Sequence, residues 1–272
     1  MKKYGLFALL AFLVLACNDQ NKAARVYLER AKTQYDNKLY ASAKLSIDSI
    51  KILYPKALEV QKESLQMLRQ VELSEQERNL AYCDSMLIVR KSEAEKMKSD
   101  FLFEKDPEYD DVGKYILKQQ KLENNLQKSY LRTWTSEFGD LFMASVYYGS
   151  GTLSHDRLKI SNSDGNYSET NQVPYDGGLN YRFVDLGMTT EVVSYSINTD
   201  NGVIMFIYAN RTQALKADYL GGRRKYSLTI SRADKDALIK TVDLSIVLSD
   251  IEQLKKEKEK AQKRIEYLQT KL

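Results

Sequence analysis

The spacing of apolar residues changes twice along the chain and predicts three successive regions. Apolar positions recur at helical spacing over residues 23–132, whereas over residues 141–231 many alternate with polar ones, as in half-buried strands. Helical spacing returns from residue 232. Glycine, which is costly inside helices, follows the same division, because ten of the twelve glycines fall between Gly139 and Gly222. The pattern predicts an α+β fold with helices first, then an antiparallel β module, and a long C-terminal helix.

The first region opens with a predicted helical hairpin over residues 23–55. Apolar spacing predicts helices over 23–36 and Tyr40–Leu53, and Pro55 ends the second because proline cannot continue a helix. The hairpin resembles one tetratricopeptide repeat at these positions: Ala31, Tyr40, Ala43 and Tyr54-Pro55. The resemblance implies that the hairpin cannot bury its own apolar face and packs on the rest of the chain or on a partner.

Helical spacing continues after the hairpin. It predicts a helix from Leu58 to about Phe103, with Ser74 placed to cap a restart, and Asp106-Pro107 then interrupts the pattern. A further helix is predicted over Val112–Arg132. Together these segments predict a helical region over residues 17–135.

The middle region, residues 136–231, predicts an antiparallel β module of about six to eight strands with helices packed on it. Four dipeptides mark its turns and breaks: Asp164-Gly165, Gly177-Gly178, Asn201-Gly202 and Gly221-Gly222. The continuously apolar run Val203–Ala209 predicts a strand covered on both faces.

Residues 232–272 predict one long helix that ends in a coiled-coil-like tail. Ser231 is placed to cap it, and beyond Glu252 the face opposite the apolar stripe is rich in lysine and glutamate. The alternative for Val242–Leu248 is an edge strand. We expect the tail to pair with the Val112–Arg132 helix or with another copy of the chain, which implies a protein partner or a homo-oligomer.

The first 17 residues have the pattern of a bacterial export signal. A short cationic start precedes an apolar stretch that is shorter than the ~20 residues of a membrane span. Val14-Leu15-Ala16-Cys17 resembles the lipobox of bacterial lipoproteins. The resemblance implies removal of a signal peptide (1–16) and attachment of acyl chains such as palmitate to the new N-terminal Cys17, which anchors the protein to a membrane of the cell envelope. Asn18 in place of aspartate implies the outer membrane, facing the periplasm, and the inner membrane is the alternative.

Composition narrows the expected chemistry. Without Lys2 and Lys3 the chain has 39 basic against 37 acidic side chains, whereas nucleic-acid binders are usually more basic, so no nucleic-acid partner is expected. With a single histidine, a His-based metal site or a Ser-His relay is hard to build. Ser154-His155-Asp156 is expected to be a surface turn, because neighbours in sequence do not make a triad. We expect no catalytic residue, no cofactor and no metal.

The remaining candidates are aromatic and cationic residues of the β module. Five tyrosines are candidates for stacking on a sugar ring: Tyr147, Tyr148, Tyr167, Tyr175 and Tyr181. Arg223 and Arg224 are candidates for a lipid phosphate, and a solvated loop is the alternative. Cys83 is expected to be a buried thiol, with pairing between chains as the alternative. The sequence therefore favours a non-catalytic structural or protein-interaction role, and the alternative is a glycan- or lipid-binding module.

Overall fold

The chain folds into two compact units. The computed structural model describes the backbone from Tyr4 and the side chains from Gln20 to Leu272, so the predicted signal peptide (1–16) and the lipid attachment at Cys17 lie outside the fully described residues. One unit comprises the chain up to Met86 together with Leu254–Leu272, and the other comprises Leu87–Gln253. Among the described residues, no helix has the length and apolar character needed to cross a membrane.

The first unit is helical. It contains α1 (Tyr4–Asp36), α2 (Tyr40–Leu53), the first part of α3 (Leu58–Lys98) and the last part of α5 (Arg232–Gln269). The predicted bounds of α2 are confirmed. Apolar residues of the described part of α1, of α2, of the turn before α3 and of the start of α3 form one buried cluster: Ala24, Leu28, Ala31, Tyr40, Ala43, Ile47, Ile50, Ala57, Val60, Met67 and Val71. The apolar face of the predicted hairpin is therefore covered by α3.

Helix α3 is continuous, so the predicted restart at Ser74 is wrong. The Ser74 hydroxyl lies 2.9 Å from the Tyr35 hydroxyl instead of capping a new helix. The end of α5 contacts α3 through the ion pairs Lys258–Asp84 and Arg264–Glu72. This contact corrects the expectation that the tail pairs with a Val112–Arg132 helix.

The second unit contains two antiparallel sheets. Strand order in the six-stranded sheet is β1 (Phe101–Glu104), β2 (Lys114–Leu117), β3 (Tyr130–Ser136), β4 (Leu141–Gly149), β8 (Met188–Ser196) and β7 (Asn180–Asp185). Strand order in the four-stranded sheet is β10 (Tyr226–Thr229), β9 (Leu215–Leu220), β5 (Arg157–Asn162) and β6 (Tyr167–Glu169). The α+β fold is confirmed. Seven strands, β4 to β10, lie within residues 136–231, in agreement with the six to eight expected there, and β1, β2 and β3 begin before that range.

The helix predicted over Val112–Arg132 is wrong, and strands begin already at Phe101. This segment forms β2, two 3₁₀ turns and the start of β3. Ile116 pairs with Trp134 across the two strands, and such tertiary pairing outweighs a local apolar spacing. In the turns, the Asn125 side chain donates hydrogen bonds to the backbone carbonyls of Gln119 and Lys121, which competes with a helix.

The strand predicted over Val203–Ala209 is also wrong, because this segment is the short helix α4. The Asp200 carboxylate accepts hydrogen bonds from the backbone N–H groups of Gly202 and Ile204, both at 2.9 Å, and so caps its first turn. Asn201-Gly202 is therefore a turn into a helix rather than a hairpin turn. By contrast, Asp164-Gly165 and Gly221-Gly222 join neighbouring antiparallel strands as predicted, and Val242–Leu248 is helical within α5.

The core of this unit lies on one face of the six-stranded sheet. Leu131, Met143 and Tyr195 from that sheet meet residues of the other sheet, of α4 and of the start of α5 in one cluster. Ser231 caps α5 as predicted, since its Oγ accepts a hydrogen bond from the Asp234 N–H at 3.0 Å. The opposite face of the six-stranded sheet carries the candidate site.

Candidate functional site

The outer face of the six-stranded sheet is concave because side-chain size changes from strand to strand. Small side chains on the central strands β4 and β8 form the floor: Ala144, Val146, Thr190, Val192 and Ser194. Larger side chains on β3 and β7 form the walls: Tyr130, Arg132, Trp134, Tyr181 and Phe183. We call this pocket, about 320 Å³ in volume, the aromatic trough.

Strand register explains how the trough is built. Tyr130 pairs with Val146, Val146 with Val192, and Val192 with Tyr181, so one cross-strand row runs from wall to wall. Three strand spacings of about 4.8 Å separate the Cα atoms of Tyr130 and Tyr181 by about 14 Å. Two tyrosines at the ends of a row of valines leave an open space between their rings.

A segment between β2 and β3 (residues 118–128, the cover segment) forms one side of the trough. Pairing of β2 with β3 extends only to Trp134, so before that residue the edge of β3 that faces away from β4 has no strand beside it in the described chain. The Gln120 side chain occupies this edge. Its Nε2 donates to the Leu131 carbonyl at 2.8 Å and its Oε1 accepts from the Thr133 N–H at 2.7 Å. Side chains of the cover segment then line the trough: Leu122, Asn125, Leu126, Gln127 and Lys128.

Two polar atoms in the β3 wall have no hydrogen-bond partner among the residues that the structure describes. The Tyr130 hydroxyl and the Arg132 Nε are buried and unpaired, and only 2% of Tyr130 is exposed. Such orphans are rare in proteins, because each costs about 1–3 kcal/mol. Burial raises the pKa of Tyr130 above its usual range, so the hydroxyl keeps its proton and is available as a donor.

Cations are concentrated at the same wall. Lys128 Nζ lies 5.7 Å from the Tyr130 ring centroid, and among the described residues no carboxylate forms an ion pair with Arg132. Glu123, the acid on which Arg132 acts through space, is itself paired with Lys121 at 3.2 Å. The acid that lines the trough, Asp185, lies at the opposite wall on β7.

Apolar side chains surround the trough. Leu122 and Leu126 of the cover segment are more than half exposed, as is Phe183 of β7. Leu186, in the turn after β7, is 93% exposed. Exposed apolar groups around an apolar concavity are typical of a binding surface.

The structure brings two of the predicted tyrosines into the trough and places the other three elsewhere. Tyr148 and Tyr181 line it. Tyr147, the neighbour of Tyr148, points to the opposite face because side chains alternate along a strand, and its ring packs against Tyr226 at 5.1 Å. Tyr167 lies under Lys159 at 3.7 Å, and Tyr175 under Arg182 at 4.9 Å.

The two predicted arginines lie outside the trough, after β9 in the turn to β10. Arg224 Nη2 donates to the Thr152 carbonyl at 2.8 Å, and Arg223 belongs to the same turn. Sequence reasoning missed Tyr130 and Arg132, which it assigned to the Val112–Arg132 helix, and Trp134, which follows that helix within the predicted helical region 17–135. Their alternation with Leu131 and Thr133 was the period-two signal that could have identified them.

A second polar cluster is buried beneath the sheet. His155 Nδ1 donates to Glu191 Oε2 at 2.9 Å, and His155 Nε2 lies 2.9 Å from Ser145 Oγ. The Glu191 carboxylate also accepts hydrogen bonds from the backbone N–H groups of Leu153, Ser154 and His155, at 2.6, 2.8 and 3.1 Å. The surface turn expected at His155 is therefore wrong, because Glu191 draws residues 153–155 into the protein.

The hydrogen bonds at Glu191 change its acidity. Burial alone opposes ionisation, but the bonds from His155 and from the three backbone N–H groups outweigh it and hold the pKa of Glu191 at about 2. Through its hydrogen bonds His155 connects Ser145 to Glu191, as a histidine connects serine to an acid in a hydrolase triad, yet Ser145 is 0% exposed and His155 1% exposed. Unlike the Tyr130 hydroxyl and the Arg132 Nε, the side chains of this cluster all have hydrogen-bond partners, since Ser145 Oγ contacts both His155 Nε2 and the Tyr195 hydroxyl. The cluster therefore acts as a brace between β4, β8 and the start of β5.

Other candidate chemistry has no site in the described part of the chain. Among the described residues, no group of three His, Cys, Asp or Glu side chains is arranged to hold a metal ion. Cys83 is buried, as predicted, and burial raises the pKa of its thiol, so it is a poor nucleophile.

Comparison with known proteins gives no relative: no protein-family model, no curated protein and no solved structure matches this chain. The residues of the trough are therefore the basis for a functional proposal.

Proposed function

We propose that this chain is a non-catalytic, lipid-anchored protein of the cell envelope that binds a ligand with an apolar face in the aromatic trough. One observation carries the binding role: a pocket of about 320 Å³ with aromatic walls is lined by two residues, each with a buried polar atom that has no partner in the described part of the chain. Ligand sites combine an apolar lining with a few polar groups that fix orientation in this way. The polar groups of the Ser145 cluster are paired with one another, whereas those of the trough are not, and this difference favours binding in the trough over catalysis at Ser145.

The single tryptophan of the sequence provides a direct test, because Trp134 lines the trough. Its ring stacks on Phe142 at 5.5 Å, so its emission reports on the β3 wall. Addition of oligosaccharides and of single-chain lipids to the purified full chain in mild detergent should identify a class that shifts this emission saturably. The variant Phe183→Ser should weaken that response, since it removes an exposed wall residue without disturbing the core.

A matched control keeps this test specific. Tyr167→Ser removes an aromatic side chain of similar size and exposure from β6, outside the trough, and should leave the response unchanged. No emission change with any glycan or lipid, or equal losses in both variants, would contradict a binding role for the trough.

The location of the protein is a separate part of the proposal. The lipobox resemblance at Val14–Cys17 supports lipid attachment to Cys17, and Asn18 favours the outer membrane facing the periplasm. Mass spectrometry of the mature protein should find an acylated N-terminal Cys17. The variant Cys17→Ala should move the protein from the membrane fraction to the soluble fraction.

A second candidate is a protein-interaction role for the helical unit, with a partner protein or a second copy. The observation that favours it is on α2, where Leu45 and Ile52 are mostly exposed and lie seven residues apart on one helix face. Cross-linking in intact cells through cysteines at these two positions should give a discrete product. The double variant Leu45→Ser/Ile52→Ser should abolish that product, and recovery of monomer alone from the cysteine variants would exclude this role.

A further inference from the structure

The β3 wall of the aromatic trough and the adjoining Lys128 supply hydrogen-bond donors, and the acid that acts through space on Tyr130 and Lys128 is Asp234 at the start of α5. The donors are the hydroxyl of Tyr130, the guanidinium of Arg132 and the ammonium of Lys128. Two of these groups carry positive charge, and the Tyr130 hydroxyl and the Arg132 Nε are unpaired. A molecule that only stacked on the aromatic rings would leave both orphans unsatisfied, which disfavours a purely apolar ligand.

The group that would pair with these donors is a hydrogen-bond acceptor with negative charge. A guanidinium and a phenol hydroxyl both donate hydrogen bonds, and Arg matches the geometry of carboxylate and phosphate oxygens. In a partly buried site, bonds of this kind are roughly twice as strong as bonds between neutral groups. The wall therefore has the donor set for an anionic head group.

The rest of the trough specifies an apolar body. Its floor is Ala144, Val146 and Val192 with two small hydroxyl side chains, and Leu122, Leu126 and Phe183 extend the apolar surface outward. A neutral glycan would need acceptors and donors along this floor. A volume of about 320 Å³ lies at the low end for ligand sites, which suits one hydrocarbon chain rather than two.

Resting on the proposed binding function, we propose that the aromatic trough binds a single-chain amphiphile whose carboxylate or phosphate is held by Arg132 Nε and the Tyr130 hydroxyl. Lys128 lies at the same wall and adds attraction for the anion. The hydrocarbon chain follows the floor towards Tyr181 and Phe183 on β7. The unpaired Tyr130 hydroxyl and Arg132 Nε are the donors that this ligand satisfies.

Three probes test the head group and separate its two sources. Dodecanoate, dodecyl phosphate and dodecanol share one chain length and differ in the head group, and each is titrated against the full chain below its critical micelle concentration. Trp134 emission gives the affinity. We expect whichever anion is preferred to bind about 10- to 100-fold more tightly than dodecanol, since hydrogen bonds to a charged group are at stake. A preference for dodecanoate assigns a fatty-acid carboxylate, and a preference for dodecyl phosphate assigns a phosphate head group.

Variants of the two donors test the assignment of residues. Arg132→Gln should weaken binding of the preferred anion about 10- to 100-fold and leave dodecanol binding unchanged. Tyr130→Phe should weaken binding of the same anion roughly tenfold. Arg182→Gln is the matched control, because it removes the same charge from β7 on the opposite side of the sheet, where Arg182 donates to Ser154 Oγ.

Failure of this inference differs from failure of the proposed function. Equal affinity for dodecanol and both anions, or anion binding that Arg132→Gln leaves intact, would overturn the anionic head group while the trough remains a ligand site. No binding of any of the three probes would overturn the amphiphile, and a saturable response to an oligosaccharide would then identify the trough as a glycan site.

Discussion

Replacement of Glu191 by glutamine should lower the free energy of unfolding of the second, β-rich unit more than most other single substitutions. The carboxylate accepts four hydrogen bonds, three of them from backbone N–H groups of residues 153–155, and the side chain is almost fully buried. Glutamine has nearly the same shape but carries no charge, and its amide nitrogen is a donor that faces other donors. The variant therefore tests the charge and the hydrogen bonds without leaving a cavity.

The magnitude follows from the acidity of Glu191. Its pKa falls from 4.5 to about 2 in the folded chain, and each pKa unit corresponds to about 1.4 kcal/mol, so the ionised group stabilises the fold by about 3 kcal/mol. Because the folded pKa is lower than the unfolded one, this stabilisation is fully present above about pH 4.5. It is lost progressively as the pH falls from about 4.5 to about 2, where the carboxylate becomes protonated in both states.

Urea unfolding followed by Trp134 emission measures this effect in the β-rich unit. At pH 7, Glu191→Gln should lower the free energy of unfolding by about 3 kcal/mol, and the difference from the unmodified chain should shrink as the pH approaches 2. Glu169→Gln is the control, because that partly exposed carboxylate pairs with Arg157 at 3.2 Å and is worth about 0–1 kcal/mol. Equal effects of the two variants at pH 7, or a Glu191 effect that does not change with pH, would refute the reasoning.

Three further variants test the packing and the trough by chemical unfolding. Gly139→Ala should lower the free energy of unfolding by about 1–2 kcal/mol because alanine is strained at a φ of +93°. It should lower it by about 1–3 kcal/mol more because the new Cβ would lie 2.4 Å from the Ser249 backbone nitrogen. Gly165→Ala, with a φ of +85° and open space around it, should show only the first of these two losses. Leu268→Ala should lower the free energy of unfolding of the helical unit by about 2–5 kcal/mol, as measured by far-ultraviolet circular dichroism. Leu272→Ala, at an exposed position, is the control, and equal losses in the two variants would contradict packing of the tail on α3. Tyr130→Phe should raise the free energy of unfolding by about 1–3 kcal/mol because it removes an unpaired hydroxyl. Tyr219→Phe, which breaks the 2.9 Å hydrogen bond to the Tyr130 carbonyl, should lower it. A lower free energy of unfolding in Tyr130→Phe would show that the Tyr130 hydroxyl has a partner.

The helices could be predicted from the sequence wherever their signals were local. The bounds of α2 follow from apolar spacing and from Pro55, and the start of α5 follows from the Ser231 cap. These signals are contained within a few neighbouring residues. The helical prediction for Val242–Leu248 is confirmed, because its apolar face continues the stripe of the same helix.

The errors arose where tertiary contacts decide the structure. Apolar residues over Val112–Arg132 fit a helix as well as strands, and only pairing of β2 and β3 resolves the choice. Val203–Ala209 is apolar at every position, so its spacing contains no periodicity, and the helix depends on the Asp200 cap.

The candidate site was only partly visible in the sequence for the same reason. Alternation along a strand shows that Tyr147 and Tyr148 face opposite sides, but not which side is covered by the core. The trough needs four strands in register, and its cationic wall comes from a segment that was assigned to a helix. Burial of His155 depends on Glu191, which lies 36 residues away in the chain.

The most direct test of the proposed binding role is titration of the full chain with dodecanoate, dodecyl phosphate and dodecanol while Trp134 emission is recorded. We predict a saturable shift with one anion at about 10- to 100-fold lower concentration than with dodecanol, and loss of this preference in Arg132→Gln but not in Arg182→Gln. An unchanged Trp134 emission with all three probes and with oligosaccharides would contradict the assignment of the trough as a ligand site.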